Sequence, residues 1–138
     1  MKLPDSFETR IYLIFFHFSI ILIIFKKKKI KFNQNSYNYL FNDIENNLRE
    51  LGFGDIAVNK KMKDLNRILY DILLKLDKNT HEKEFILNEK VIFKYFEDIK
   101  DNKIVNYRLF TKYFENFYKF CFELSIDNML EDLNKFKY

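Results

Sequence analysis

Apolar positions recur at helical spacing along most of the chain, with little turn punctuation between them. The densest stretch, Ile11 to Phe25, is interrupted only by His17 and Ser19 and is followed by Lys26 to Lys29. Pro4 and Asp5 precede it, and Asp5 and Glu8 have capping-box spacing, which predicts a first helix running to about Lys28. Asn33 to Ser36 reads as a polar connection. A second helix, about 37 to 51, places Leu40, Phe41, Ile44, Leu48 and Leu51 on one face. A third, about 55 to 76, carries Val58, Met62, Leu65, Leu69, Ile72 and Leu76, with Lys60, Lys63 and Arg67 opposite.

Asp77 to Lys83 reads as a solvated loop around His81. A fourth helix follows over about 83 to 99, with Phe85, Ile86, Ile92, Phe93 and Phe96 as its apolar positions. Beyond Asp101 to Lys103, a fifth helix over about 104 to 124 aligns Leu109, Tyr113, Phe117, Phe120 and Leu124. Ser125 can cap a short last helix ending near Asn134. The expected fold is an all-α bundle of five to six helices in a single domain, 1–138.

The first helix admits two readings, a buried core helix or a membrane-contacting one. Its 15-residue apolar run, Ile11 to Phe25, is short of the roughly 20 residues a spanning helix needs. Acidic Asp5 and Glu8 ahead of it, and lysines after it, fit neither a secretory signal nor a mitochondrial presequence. His17 fits a satisfied core or interface histidine better than a catalytic base.

Both glycines of the chain lie in Leu51-Gly52-Phe53-Gly54-Asp55, between the second and third helices. Glycine enters left-handed backbone without a Cβ penalty, so this pair marks a tight corner, with Asp55 able to cap the next helix at Val58. Punctuation alone explains such a corner, yet it concentrates the chain's backbone freedom and is the first place to seek function.

Composition narrows the classes further. Phe 17 and Tyr 9 are high and Gly 2 and Pro 1 low, which argues against sheet. A net charge of +4 permits an anionic partner without demanding one, so no DNA partner is expected. The lone Cys121, between Phe120 and Phe122, reads as a small core hydrophobe. His17 and His81 have no metal-ligand spacing, and the Gly-x-Gly lacks the third glycine or lysine of a phosphate loop. Neither catalysis nor a cofactor or metal is expected.

The order of parts resembles the ubiquinol-cytochrome c chaperone family, assembly factors for cytochrome b of respiratory complex III, in its alphaproteobacterial type. Leu3-Pro4-Asp5-Ser6-Phe7 with Phe16-His17 resembles the family's first helix, and Leu40 to Glu45 its second. The most specific match is Leu48-Arg49-Glu50-Leu51-Gly52-Phe53-Gly54-Asp55-Ile56-Ala57-Val58 with Lys60, Lys61 and Met62. The sequence departs from the family at Tyr70-Asp71-Ile72, where a tyrosine, a glycine and an arginine are usual, and at Asn59, a position commonly small.

The resemblance implies a non-catalytic helper that binds newly made cytochrome b, or another complex III subunit, together with a small partner subunit. It directs attention to Arg49, Gly52, Gly54, Asp55, Lys60, Lys61, Lys63 and Arg67 as partner-binding residues, and to Leu51 as part of the structural corner. Apolar Ile11 to Phe25 and cationic Lys26, Lys27, Lys28 and Lys29, with His17, are the expected membrane or client contacts. A ribosome or anionic membrane surface is a further expected partner, and the expected location is cytoplasmic with peripheral contact at the inner membrane. A small peripheral or single-pass membrane protein anchored by residues 11–25, without a client, is the competing class. Lysines at a helix end also simply complement its dipole.

Overall fold

A computed structural model describes residues 6–78, 80–81, 84–87, 89–96 and 103–124. Five helices are described: α1 (Phe7–Lys27), α2 (Gln34–Glu50), α3 (Asp55–Lys78), α4 (Glu89–Tyr95) and α5 (Lys103–Glu123). A two-stranded antiparallel ribbon, β1 (Thr80–His81) and β2 (Glu84–Phe85), joins α3 to α4 with Thr80 opposite Phe85. The all-α expectation holds.

The helix starts follow cap chemistry more closely than apolar spacing. Ser6 caps α1, its Oγ accepting from the Thr9 N–H at 3.2 Å. The expected Asp5 start lies outside the described residues, as does the Ser125 helix. Asn33 caps α2 by accepting from the Asn35 N–H at 2.9 Å, so the stretch expected as a polar connection already forms the first turn of the helix.

α1 lies at the centre, packing chiefly on α3 and α5. Its Ile11, Phe15, Phe16, Ile20, Ile23 and Ile24 are buried, as the core reading requires. By length and composition α1 could cross a membrane, and 44% of its most apolar window is buried inside the protein, while Ile14 stays exposed in the first half. α1 and α3 run in the same direction, with Lys26 paired to Asp77 at one end and Phe7, Glu8 and Tyr12 facing Lys61, Asp64 and Leu65 at the other. α5 runs alongside too: Phe16 meets Phe110 and Phe114, and Lys28 reaches the Leu124 carbonyl.

Three apolar assignments change. The fourth helix is much shorter than expected, because Glu84 to Leu87 alternates exposed and buried side chains as extended backbone does. Ile86 therefore faces solvent, 55% exposed, instead of the core. Asp77 and Lys78 belong to α3, not to a loop, and the following Thr80 is buried with its hydroxyl donating to the Leu76 carbonyl at 2.6 Å. On α5 the buried stripe is Phe110, Phe114, Phe117, Tyr118 and Cys121, rotated from the expected one, and Leu109 is exposed. The phenyl rings of Phe110 and Phe114 win that choice by joining Phe16 and Phe96 in one aromatic cluster. Leu51, expected on the inner face of α2, is also exposed.

Two helices end in the same hydrogen-bonded motif. After α2, the Gly52 N–H donates to the Arg49 carbonyl at 3.0 Å and the Phe53 N–H to the Leu48 carbonyl at 3.2 Å, with Gly52 at φ 95°. After α1, Lys29 donates to Lys26 at 3.0 Å and Ile30 to Phe25 at 2.9 Å, with Lys29 itself at φ 58°. Positive φ is thus not confined to the glycine corner. Replacing Lys29 by Gly should raise stability by about 1 kcal/mol, since a side chain in that region is strained by roughly that much. Gly52→Val should lower it by about 1–3 kcal/mol. Gly54→Ala, where φ is not positive and nothing lies within 4 Å of the added methyl, should be neutral or slightly stabilising. Urea unfolding of the three variants checks the order.

Candidate functional site

The corner between α2 and α3 is ordered by backbone and by charge. The left-handed Gly52 turns the chain out of α2, and the Val58 N–H donates to the Gly54 carbonyl at 2.9 Å to start α3. The Asp55 carboxylate goes to the Arg49 guanidinium, which also donates to Glu45 at 3.1 Å. Arg49 therefore braces the last turn of α2 against the first residue of α3. Its pKa is raised by the hydrogen bonds to Asp55 and then Glu45.

Around this brace stand apolar side chains that the fold does not bury. Ile56 is 88% exposed and Leu51 60%, while Phe53 is partly covered by the Lys61 ammonium, 4.7 Å from its ring centroid. Beside them opens a groove of about 610 Å³ between the first half of α1 and the end of α2, lined by Phe7, Arg10, Ile11, Ile14, Asn47, Glu50 and Leu51. Leu51 joins groove and corner. Regular helical spacing predicts an inward Leu51; its backbone is still helical, and it is exposed because the groove it lines beside Phe7, Ile11 and Ile14 stands open.

The cations expected to act together are distributed differently. Lys60 and Lys63 are exposed on the outer side of α3, and Arg67 pairs with Asp64 at 2.9 Å. Lys26 pairs with Asp77 at 2.6 Å, and Lys27 donates to the Thr80 carbonyl at 3.2 Å. Lys28 donates to the Leu124 carbonyl at 2.8 Å and sits over the Phe122 ring. Lys29 occupies the left-handed turn. Lys26, Lys27 and Lys28 thus fasten the end of α1 to its neighbours, at the opposite end of α1 from the glycine corner.

His17 is half-buried between α1 and α5. Nδ1 lies 2.6 Å from the Leu13 carbonyl, which can only accept, so Nδ1 carries the proton and Nε2 accepts from the Tyr113 hydroxyl at 2.7 Å. Phe114 and Phe117 pack against the ring. Burial lowers the His17 pKa, opposed by the bond to Leu13. Burial likewise pushes the Cys121 thiol up to about 12, as a core position requires.

Sequence reading passed over a second polar cluster. Asp71 accepts from Lys94 at 2.9 Å, Lys75 at 3.0 Å and the Tyr95 hydroxyl, pinning α4 to α3. Burial would raise its pKa, but these bonds outweigh it and bring the value down to about 2. The i, i+4 spacing of Asp71 and Lys75 was visible in the sequence, whereas the partners from α4 were not. Among the described residues no three His, Cys, Asp or Glu side chains gather as metal ligands.

An all-α scaffold with a braced corner and an apolar groove beside it is the class that these features define. Residues 1–130 match the ubiquinol-cytochrome C chaperone family, and the chain belongs to that family. Membership carries a chaperone role in complex III assembly. No curated protein and no solved structure shows a significant match to the chain.

The His17 geometry sets a pH dependence. The unfolded chain takes a proton on His17 near pH 6.5 while the folded protein resists until lower pH, so stability should fall as pH drops below about 6.5. His17→Gln should flatten that part of the curve. Asp71, whose folded pKa is depressed, should add a further loss only below its usual 3.8, on the way to about 2. Urea midpoints measured across this range, for the protein and the His17→Gln variant, separate the two windows.

Proposed function

We propose that the protein holds newly made cytochrome b and promotes its assembly into ubiquinol-cytochrome c reductase, acting as a single helical domain and without catalysis. The observation that carries this reading is the groove lined by Phe7, Ile11, Ile14 and Leu51, with the partly exposed Phe53 near it at the braced corner. From Phe7 to Ile14 it follows about two turns of α1, roughly 10 Å, a span that suits one apolar helical segment. Newly made membrane subunits expose such segments before their partners arrive, and an exposed segment is open to aggregation and proteolysis. A small partner subunit is the second expected companion. The protein works from the cytoplasmic side, with peripheral contact at the inner membrane.

Ile14 is 40% exposed, so Ile14→Asp should leave the unfolding midpoint nearly unchanged. The same change should reduce recovery of cytochrome b with tagged protein about tenfold or more, because it places a charge at the centre of the contact. Deleting the gene should lower assembled reductase and haem b absorbance while its transcripts persist. Normal haem b absorbance in the deletion strain, or undiminished cytochrome b recovery by Ile14→Asp, would overturn this reading.

A further inference from the structure

One stripe of α3 lies outside both the core and the groove, apart from a hydrogen bond between Tyr70 and Tyr37 of α2. Ile56, Lys60, Lys63, Arg67, Tyr70 and Leu74 follow one another at steps of four and three, which places them on a single line along the helix. All of them are exposed. The apolar members lie at the ends, with Ile56 88%, Tyr70 56% and Leu74 63% exposed, and the three cations stand between them. At about 1.5 Å per residue the row is roughly 27 Å long.

Of the carboxylates nearest this row, Asp55 is held by Arg49 and Asp71 by Lys75, Lys94 and Tyr95, while Asp64 pairs with the row's own Arg67. Lys60 and Lys63 have no ion-pair partner among the described residues, so positive charge dominates the middle of the stripe. Val58, Leu65, Leu69, Ile72 and Leu76 already bury the other face of α3, so the outer Ile56 and Leu74 contribute nothing to that core. A separate hollow that Lys61, Asp64, Leu65 and Ile68 border faces Phe7, Glu8 and Tyr12 of α1, and no member of the stripe lines it, so the stripe is left as a ridge.

We propose that this stripe is a docking face for an anionic lipid bilayer, with α3 lying lengthwise on the surface. The cations meet headgroup phosphates, Ile56 and Leu74 pass between headgroups, and Tyr70 sits at the polar boundary where its ring and hydroxyl are both accommodated. A ridge of separated side chains suits a soft surface; a partner helix would need a groove to lie in. The proposal stands whichever client the protein holds.

The test is co-sedimentation of the full chain with phosphatidylcholine vesicles, with and without added phosphatidylglycerol. Binding is expected to the anionic vesicles and to weaken as salt rises. Changing Lys60, Lys63 and Arg67 together to Gln should reduce affinity by roughly two orders of magnitude. Ile56→Ser with Leu74→Ser should reduce it about tenfold or more and leave the salt dependence in place. Urea unfolding should show that both variants keep their fold. Equal binding to both vesicle types, or an Ile56→Ser, Leu74→Ser variant that binds like the parent, would overturn the proposal. So would salt-sensitive binding to an RNA oligonucleotide, lost with the three cations, in a protein that ignores the vesicles.

Discussion

Burial of α1 is the constraint on which the remaining structure depends. Its apolar side chains point in so many directions that one neighbour cannot cover them, and each large one left in water would forgo about 1.5–3 kcal/mol. α3 covers one flank and α5 another, with α2 adding a stacked contact between Phe15 and Phe41. The centre of the arrangement is aromatic, Phe16 meeting Phe96, Phe110 and Phe114 at tilted or edge-on angles. Ser19 is the misfit, fully buried with no partner for its hydroxyl among the described residues. His17 sits in the same helix but is fully bonded, and that difference separates a tolerated polar atom from a positioned one.

The direction of α1 also decides where the glycine corner falls. Because α1 and α3 run the same way and α2 runs back between their ends, the α2–α3 connection arrives beside the start of α1. The groove between Phe7, Ile14 and Leu51 exists because of that meeting. The Arg49 brace then keeps the corner in one shape without covering Leu51, Phe53 or Ile56. A loose corner with the same residues would have to be ordered at each binding event, and the brace removes part of that entropy loss. The groove is lined by α1 and the end of α2 while the outer stripe lies on α3, so the proposed client groove and the proposed bilayer face use different side chains.

Asp71 shows how one carboxylate attaches a short element: it gathers Lys75, Lys94 and Tyr95 and ties α4 to α3. α4 is only seven residues long and cannot be stable by itself, so this cluster and the burial of Val91 and Ile92 are what hold it.

By itself the sequence determined the helical class, the buried face of α3, the corner at Gly52 and the core nature of Cys121, while it left the first apolar run open between core and membrane contact. Each determined feature rests on local information: periodic burial, the Cβ-free residue that a left-handed turn favours, or apolar neighbours in sequence. Only tertiary structure decided which of two equally periodic stripes on α5 faces inward, because Phe rings surround that helix and the choice depends on Phe16 and Phe96 from elsewhere. It also decided that Leu51 faces out, that Glu84 to Leu87 is extended, and that Lys26, Lys27 and Lys28 are engaged with Asp77, Thr80 and Leu124. Those outcomes depend on groups as many as 96 residues apart, and no pattern within a single helix records which distant atom a side chain will meet.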